Sequence, residues 1–216
     1  MIEQDYILLI LNCKKYKYKS DLQKNTWLKT IPSTLIYYHI IGDESLNEEF
    51  IFNDNDNILY VKTKDDYLSL PHKVISAFNA INTKYKYKYI FKTDDDQNVI
   101  DINFFKKLIT KLENRIIETN YGGYAINCNE HISTYYIEHS ELPHNILLKK
   151  TIYCNGRFYL LSNNATDNLL QKKKLIEKEY FEDYAIGFYL DDIYKQNLLY
   201  IDNYNFFKDN ILFVNS

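Results

Sequence analysis

The chain has 216 residues, of which 46% are hydrophobic and 25% charged, and its formal net charge at pH 7 is −3. These values fit one globular domain, residues 1–216, and the slightly negative charge gives no electrostatic basis for binding nucleic acid or an acidic membrane surface. No segment is long and apolar enough to span a bilayer, and three cysteines allow at most a single disulfide.

The first residues predict no signal peptide, because acidic side chains precede a short apolar run that is typical of a strand. We therefore expect a cytoplasmic protein without a membrane anchor. Tyr is abundant, at 22 residues, alongside many Lys, Asn and Ile. This bias indicates an AT-rich genome, either that of a low-GC microbe or that of a large virus, whose protein would lie in the host cytoplasm.

Hydrophobic patterning predicts alternating strands and helices in the first part of the chain. Apolar or β-branched runs predict strands at residues 6–12, 34–41, 58–61 and 89–92. Apolar residues three or four apart predict helices at residues 70–81 and 102–112. A further helix is predicted at residues 20–29, with Ser20 as its N-terminal cap.

Strands become more frequent in the second part of the chain. We predict them at residues 124–127, 132–137, 157–162, 199–201 and 211–214, with helices at 165–174 and 183–194. This order predicts an α/β sandwich, with a mixed, mostly parallel central sheet flanked by helices. Two other segments, 14–19 and 84–89, alternate Lys with Tyr, a pattern that suits half-buried strands, nucleic-acid binding or, as we favour, solvated edges.

Three consecutive carboxylates, Asp94, Asp95 and Asp96, follow the predicted strand at residues 89–92. Acidic runs usually mark solvated turns, but this run ends an apolar strand. In open α/β sheets, ligands bind beyond the carboxyl ends of the strands. A hard divalent cation would relieve the repulsion of the carboxylates and present open positions to phosphate oxygens.

Five stretches resemble, in the same order, motifs of the β1,3-glycosyltransferases of family 31. Residues 92–96, KTDDD, are similar to the acidic signature of that family, and residues 24–27, KNTW, to its R-x-T-W element. Tyr67, Leu70 and Lys73 fit its Y-x-x-L-x-x-K helix. Further on, YCNGRFYLLS at 153–162 resembles YCSGGGYVLS, and EDYAIG at 182–187 resembles EDVYVG.

The resemblance implies a GT-A fold, which is a Rossmann-like nucleotide-binding sandwich. It also implies an inverting single displacement that moves a hexose or N-acetylhexosamine from a UDP-sugar to a sugar hydroxyl of a glycan acceptor. The implied cofactor is Mn²⁺ or Mg²⁺, with Asp96 and Asp94 as its ligands. Asp94 and Asp95 would contact the nucleotide sugar, together with Gly156 and with Lys73 if it reaches the acidic cluster. Arg157 departs from the family pattern and could contact phosphate or an acidic sugar.

Asp183 matches the general base of the family in the EDV-type motif. Its alternative role is that of a helix N-terminal acid, stabilised by the helix dipole, and both roles can hold together. Lys73 could instead be a solvated helix residue. Trp27 is expected to lie in the core, and Cys154 to be a buried small side chain rather than a nucleophile.

The sequence departs from the family pattern at the proposed site. Gly156 is followed by Arg157 instead of further glycines, which puts the shape of the sugar pocket in question. The family also uses a metal-binding His after the EDV motif, whereas every His here precedes Asp183. Oxygen-bearing side chains could replace it, and the candidates are Asp202, Asn203, Asn205 and Asp209.

These departures leave other functions open. The chain could be a catalytically degenerate domain that binds glycans or nucleotide sugars. It could also be another nucleotide-sugar enzyme, such as a retaining transferase or a nucleotidyltransferase.

Overall fold

A computed structural model describes residues 1–209 of the chain. The strands are β1 Ile2–Glu3, β2 Tyr6–Leu11, β3 Leu35–Gly42, β4 Phe50–Asn53, β5 Ile58–Val61, β6 Tyr85–Lys86, β7 Tyr89–Asp94, β8 Gln97–Val99, β9 Tyr121–Cys128, β10 His131–Ile132, β11 Leu147–Leu148, β12 Thr151–Ser162, β13 Leu199–Tyr200 and β14 Phe207–Asp209. The helices are α1 Lys17–Asn25, α2 Leu70–Lys84, α3 Phe104–Glu113, α4 Asn163–Leu170, α5 Lys173–Ile176, α6 Glu182–Tyr189 and α7 Asp192–Lys195.

Eight of these strands form one mixed sheet, in the order β13-β9-β12-β7-β2-β3-β5-β4. The four central neighbours β7, β2, β3 and β5 run parallel, whereas β12 and β4 run antiparallel to them. Helices cover both faces, so every residue of β2 is buried. The predicted α/β sandwich with a mixed, mostly parallel sheet is confirmed.

Alternate residues of the central strands supply two separate cores. Ile7 and Leu9 face the core that includes residues of α2, α4 and α6. Leu8 and Ile10 face the other core, which includes residues of α3. Trp27 belongs to this second core, where it is 4% exposed and its ring stacks on that of Phe105, as expected from the sequence.

Several predicted elements need correction. The first helix begins at Lys17, so Ser20 lies inside it and is not a cap; its hydroxyl donates to the Lys17 carbonyl at 2.7 Å. The predicted strand at 132–137 is wrong. The strand β10, which pairs with β11, ends at Ile132, and Tyr135–Ile137 form a 3-10 helix. Strand β4 was not predicted. The predicted strand at residues 211–214 lies outside the described residues.

The two predicted helices at 165–174 and 183–194 are each divided in two. The second is interrupted because Leu190 and Asp191 adopt extended backbone conformations. The Asp191 carboxylate contacts the Lys172 ammonium and accepts a hydrogen bond from Asn168, and this anchors the break to the end of α4. The helical spacing of apolar residues does not predict tertiary contacts of this kind.

The segment at residues 84–89 combines the alternation of a half-buried strand with the exposed lysines of a solvated edge. Its three tyrosines are buried, whereas its last two lysines form exposed ion pairs, Lys86 with Glu3 and Lys88 with Asp5. Within residues 1–209, no helix combines the length and the apolar character needed to cross a bilayer.

Replacement of Gly187 should test how α6 is docked on β12. An added Cβ would overlap the Tyr153 Cβ, and would lie 2.6 Å from the Tyr153 Cα and 2.8 Å from the Ile152 carbonyl oxygen. Overpacking of this kind costs about 1–3 kcal/mol. We expect Gly187→Ala to lower the free energy of unfolding by that amount, measured by urea denaturation.

The matched control is Ile193→Ala, because Ile193 is 62% exposed in the neighbouring helix α7. This control should change the stability by less than about 0.5 kcal/mol. Equal stabilities for the two variants would contradict close packing of α6 on β12.

Candidate active site

The three carboxylates lie where β7 ends, in the middle of the sheet. The backbone N–H of Asp95 donates to the Leu11 carbonyl at 3.0 Å, which fixes the turn against β2. The Asp95 carboxylate is buried and contacts the Lys19 ammonium at 3.1 Å. Burial raises the pKa of Asp94 to about 6 and that of Asp95 to about 7, against the attraction of neighbouring lysines. Repulsion between the carboxylates adds to the rise.

Lys92 is a buried cation that joins the end of β7 to the start of α6. Its side chain is 1% exposed, and its Nζ lies 2.8 Å from Asp94 Oδ1 and 2.9 Å from Glu182 Oε2. It also donates to the Gly156 carbonyl at 2.8 Å, and Tyr159 donates a short hydrogen bond to Glu182. Burial alone would lower the pKa of Lys92, but the two carboxylates outweigh it and raise the pKa. Lys92 is therefore charged.

Asp183 lies in the first turn of α6 and faces β12. Its Oδ2 accepts from the Gly156 N–H at 2.9 Å, and its Oδ1 accepts from the Tyr184 N–H at 2.8 Å. Burial raises the pKa of Asp183, although Lys92 and these two N–H groups oppose the rise. Asp183 therefore has the helix N-terminal position that its alternative role requires, and it also lines the cleft.

Gly156 keeps open the space between Asp183 and Asp94. A Cβ at this position would lie 3.6 Å from Oδ2 of each of these two carboxylates. It would also lie 3.3 Å from the Lys92 ammonium. Any larger residue would therefore place its side chain between the two carboxylates.

Gln23 supports the turn formed by Asp94, Asp95 and Asp96, which we call the acidic turn. This fully buried residue of α1 donates from Nε2 to the carbonyls of Asp94, at 3.2 Å, and Gln97, at 3.0 Å. Its Oε1 lies 3.0 Å from His39 Nε2. Burial lowers the pKa of His39 to about 3, so His39 is neutral and its Nε2–H donates to Gln23. The amide thus connects the acidic turn to both α1 and β3.

Arg157 takes part in a second network at the edge of the turn. Its guanidinium donates to Gln97 Oε1 at 2.8 Å and to Asp209 Oδ2 at 2.9 Å, and it lies 4.8 Å from the centre of the Tyr204 ring. Gln97 Nε2 donates to Asp96 and to Asp209, at 2.8 Å each. Arg157 is therefore linked to Asp96 through the Gln97 side chain.

Two other residues of the matched motifs have supporting positions. Lys73 is 1% exposed, which rules out the solvated alternative, and its Nζ donates to the Asn12 carbonyl at 2.9 Å and to Asp65 at 2.7 Å. It therefore holds the loop after β2 while it lines the cleft. Cys154 is fully buried, as expected, and burial raises the pKa of its thiol to about 12. It is unsuited to act as a nucleophile.

The three consecutive carboxylates, Lys92, Asp183, Arg157 and Lys73 line one cleft of about 1040 Å³. One half, the acidic half, contains Asp94, Asp95, Asp96 and Arg157. The other half carries mostly aromatic side chains on four segments of the chain. We call this set the aromatic wall; it consists of Tyr67, Tyr135, His139, Tyr153, Phe181 and Tyr184.

The acidic half offers the oxygen ligands that hard divalent cations prefer. Within residues 1–209, however, no three side chains of His, Cys, Asp or Glu are arranged to hold a metal ion by themselves. Mg²⁺ commonly uses one or two carboxylates together with phosphates of the substrate. Asp96 and Asp94 therefore fit a cation that is shared with a diphosphate, and they do not form a closed protein site.

The structure distinguishes the side chains considered in place of the family's His. Asp209 shares the Gln97 amide with Asp96, so it lies beside the acidic turn. Asn203 is fully buried, and Asp202 accepts a hydrogen bond from Asn205 at 2.9 Å. Asp209 is the candidate that these contacts connect to Asp96.

Sequence reasoning assigned no role to Lys92, Glu182 or Gln23. The first two lie inside matched motifs, and a Lys within an apolar strand already indicates a buried ion pair, since Lys is almost never fully buried unless paired. Gln23 carries no comparable signal. Its role depends on the way α1 packs below the acidic turn.

The model of the family described as Galactosyltransferase matches residues 22–197. A comparison with curated proteins gives no significant match. Among solved structures, the chain is similar to a glycosyltransferase involved in glycosylation of the major capsid of PBCV-1, with 10% identity and a TM-score of 0.53. The similarity covers 93% of this chain and 83% of that one.

Two further solved glycosyltransferases are less similar. GlyE of Streptococcus pneumoniae TIGR4 has 14% identity and a TM-score of 0.48, over 94% of this chain and 46% of that one. Galactosyltransferase LgtC, in complex with donor and acceptor sugar analogs, has 12% identity and a TM-score of 0.45, over 91% and 73%. At such low identity, likeness to solved structures concerns the fold alone, which is of the GT-A type.

Replacement of Gln23 should test whether it braces the acidic turn. Gln23→Ala removes the donors to the Asp94 and Gln97 carbonyls, so we expect the turn to lose its fixed shape. Affinity for UDP with Mn²⁺, measured by calorimetric titration, should fall at least tenfold, which is about 1.4 kcal/mol.

Asn25→Ala is the control for Gln23→Ala, because Asn25 lies on the same helix but is exposed. It should leave the affinity for UDP unchanged. If the Gln23 variant is folded and binds UDP as tightly as this control, Gln23 does not position the turn.

Proposed function

The chain belongs to the galactosyltransferase family, and on this premise we propose that it moves a hexose or N-acetylhexosamine from a UDP-sugar to a sugar hydroxyl, with inversion and dependence on Mn²⁺ or Mg²⁺. As a glycosyltransferase, it requires a sugar donor and an acceptor. The observation that supports inversion and metal dependence is that Asp94 and Asp183 both lie beside Gly156. A Cβ at Gly156 would be 3.6 Å from a carboxylate oxygen of each residue and 3.3 Å from the Lys92 ammonium. Such a pair can serve the leaving group and the attacking hydroxyl separately.

Asp183 is the proposed general base. Each of its carboxylate oxygens accepts one backbone N–H, and because a carboxylate oxygen has two lone pairs, it can still accept a proton. The acceptor hydroxyl would lose its proton to Asp183 as its oxygen attacks the anomeric carbon. The bond from that carbon to the diphosphate breaks in the same step. General-base catalysis of this kind contributes roughly 10²–10⁴-fold to the rate.

Asp96 and Asp94 are the proposed ligands of Mn²⁺ or Mg²⁺. Such an ion, when bound, supplies Lewis-acid stabilisation of the leaving diphosphate. Asp209 lies beside this pair and could add an oxygen ligand. Burial, together with repulsion between the carboxylates, raises the pKa of Asp94 and Asp95, and a bound cation would favour their ionised forms.

The remaining proposed contacts are to the nucleotide sugar. Asp94 and Asp95 would accept hydrogen bonds from ribose or sugar hydroxyls, and Gly156 would let the sugar approach the backbone. Arg157 would face the diphosphate from the edge of the acidic turn. Lys73, on α2, would act by holding the loop after β2 through its contact with the Asn12 carbonyl.

Replacement of Asp183 tests the proposed base. Asp183→Asn keeps an oxygen for the Gly156 N–H but cannot take a proton, so transfer should fall by at least about 10²-fold while UDP affinity stays unchanged. Because the pKa of Asp183 is raised, wild-type turnover should also fall as the pH decreases through that pKa and Asp183 becomes protonated. A steady-state assay of UDP release measures both effects.

The control is Asp192→Asn, since the Asp192 side chain is 98% exposed. It should transfer sugar at the wild-type rate. Release of pyrophosphate would instead identify a nucleotidyltransferase. UDP binding by the wild type without any turnover would identify a degenerate binding domain.

Removal of the metal tests the role of Asp96. We expect wild-type protein to show a larger thermal shift with UDP and Mn²⁺ together than with either alone, and EDTA should abolish the difference. Ligand at 100 times its dissociation constant adds about 2.7 kcal/mol to the apparent stability.

Asp96→Asn should lose the additional thermal shift that UDP and Mn²⁺ give together. Asp202→Asn, which changes a residue between β13 and β14, should keep it. Equal shifts with and without Mn²⁺ in the wild type would contradict the metal site.

A further inference from the structure

Four side chains of the aromatic wall form a continuous row. The Tyr67 and His139 rings stack at 4.0 Å, His139 and Tyr135 stack at 5.0 Å, and Tyr135 meets the edge of Phe181 at 5.8 Å. Tyr67 precedes α2, Phe181 precedes α6, and the other two belong to the loop of residues 129–150 between β9 and β12. The row therefore connects three separate segments across the cleft.

Part of this row is open to the cleft. Tyr135 is 42% exposed although it contacts two other rings, so one surface of the side chain remains available. Aromatic rings that line a cleft and carry a polar group bind ligands with an apolar face and polar edges. Ring packing is thus combined with hydroxyl groups on the same wall.

Tyrosine hydroxyls of the wall lie within the electrostatic reach of Asp183. Burial raises the pKa of Tyr67, Tyr135 and Tyr153, and the negative charge of Asp183 adds to the rise for all three. The hydroxyls are therefore protonated at neutral pH. The Tyr67 and Tyr135 hydroxyls hydrogen-bond to each other, so one donor of that pair and the Tyr153 hydroxyl can serve a ligand whose own hydroxyl points at Asp183.

The Lys and Arg side chains that line the cleft lie outside the aromatic wall. Lys92 and Lys73 are buried and paired, Arg157 is bonded to Asp209, and the exposed Lys15 lies over the Tyr16 ring. Among the residues described for the aromatic wall and the adjoining 129–150 loop, the lining positions include no Lys or Arg. Glu141 adds a negative charge there, 3.6 Å from His139.

We propose that the aromatic wall is the acceptor subsite and that it binds an uncharged pyranoside, with the apolar face of the sugar against Tyr135. This inference rests on the proposed transfer to a sugar hydroxyl and adds the chemical class of the acceptor. A carboxylate on the acceptor would find no Lys or Arg at this wall and would be repelled by Asp183 and Glu141. A neutral ring meets no such cost.

Direct binding tests the proposal without turnover. Saturation-transfer NMR would measure the affinities of neutral methyl glycosides, namely galactoside, glucoside, mannoside and N-acetylglucosaminide, for protein loaded with UDP and Mn²⁺. Methyl glucuronide is the anionic probe. We expect at least one neutral glycoside to bind at least tenfold more tightly than the glucuronide.

Variants then locate the binding. Tyr135→Ala should weaken the best neutral glycoside at least tenfold, and Tyr135→Phe should weaken it less, because the ring is kept. Tyr200→Ala is the control, since Tyr200 is 56% exposed and lies outside the cleft lining. It should leave the affinity unchanged. UDP affinity should be the same in all of these proteins.

The outcomes separate this inference from the proposed function. If UDP-sugar is hydrolysed but no neutral glycoside binds, if the glucuronide binds best, or if Tyr135→Ala binds like the wild type, the acceptor subsite is overturned. If neutral glycosides bind at Tyr135 but UDP-sugar is neither hydrolysed nor transferred, the subsite stands and the proposed transfer fails.

Discussion

The buried ammonium of Lys92 is the interaction on which the site depends. It contacts Asp94 at the end of β7 and Glu182 at the start of α6, and it donates to the backbone of β12 at Gly156. Removing one partner of a buried ion pair is strongly destabilising, because it leaves a charge without compensation. The same cation therefore stabilises the fold locally and sets the separation of the two carboxylate-bearing elements. The proposed chemistry, which needs two carboxylates at a fixed spacing, would depend on this contact.

The two halves of the cleft are supported in different ways. The acidic half is braced by buried amides, Gln23 below the turn and Gln97 at its edge, and it lies on strands of the central sheet. The aromatic half is formed largely by the 129–150 loop and by side chains that pack on one another. Loops on a rigid scaffold tolerate change better than the sheet itself. On the proposed function, this division would let donor chemistry stay fixed while acceptor recognition varies.

Strong local signals account for what the sequence could predict. The apolar run of β2, the acids that end β7 and the helical spacing of α2 each reflect burial that the chain encodes locally. Contacts distant in sequence account for the rest. The Lys172–Asp191 contact that accompanies the break after α6, and the hydrogen bonds of Gln23, join residues whose proximity no periodicity reveals. At residues 132–137, β-branched and aromatic residues suggested one strand, but the strand ends at Ile132, and Tyr135–Ile137 form a 3-10 turn in which Tyr135 packs on His139 and Phe181.

The central claim is that the carboxylates on either side of Gly156 carry out one inverting transfer. The most direct measurement is the anomeric configuration of the product, determined by proton NMR after incubation with an α-configured UDP-sugar, Mn²⁺ and a neutral glycoside. A β-configured product, formed at the rate of UDP release, is the predicted result. An α-configured product would contradict the single displacement at Asp183, and UDP binding without any glycoside product would contradict the transfer itself.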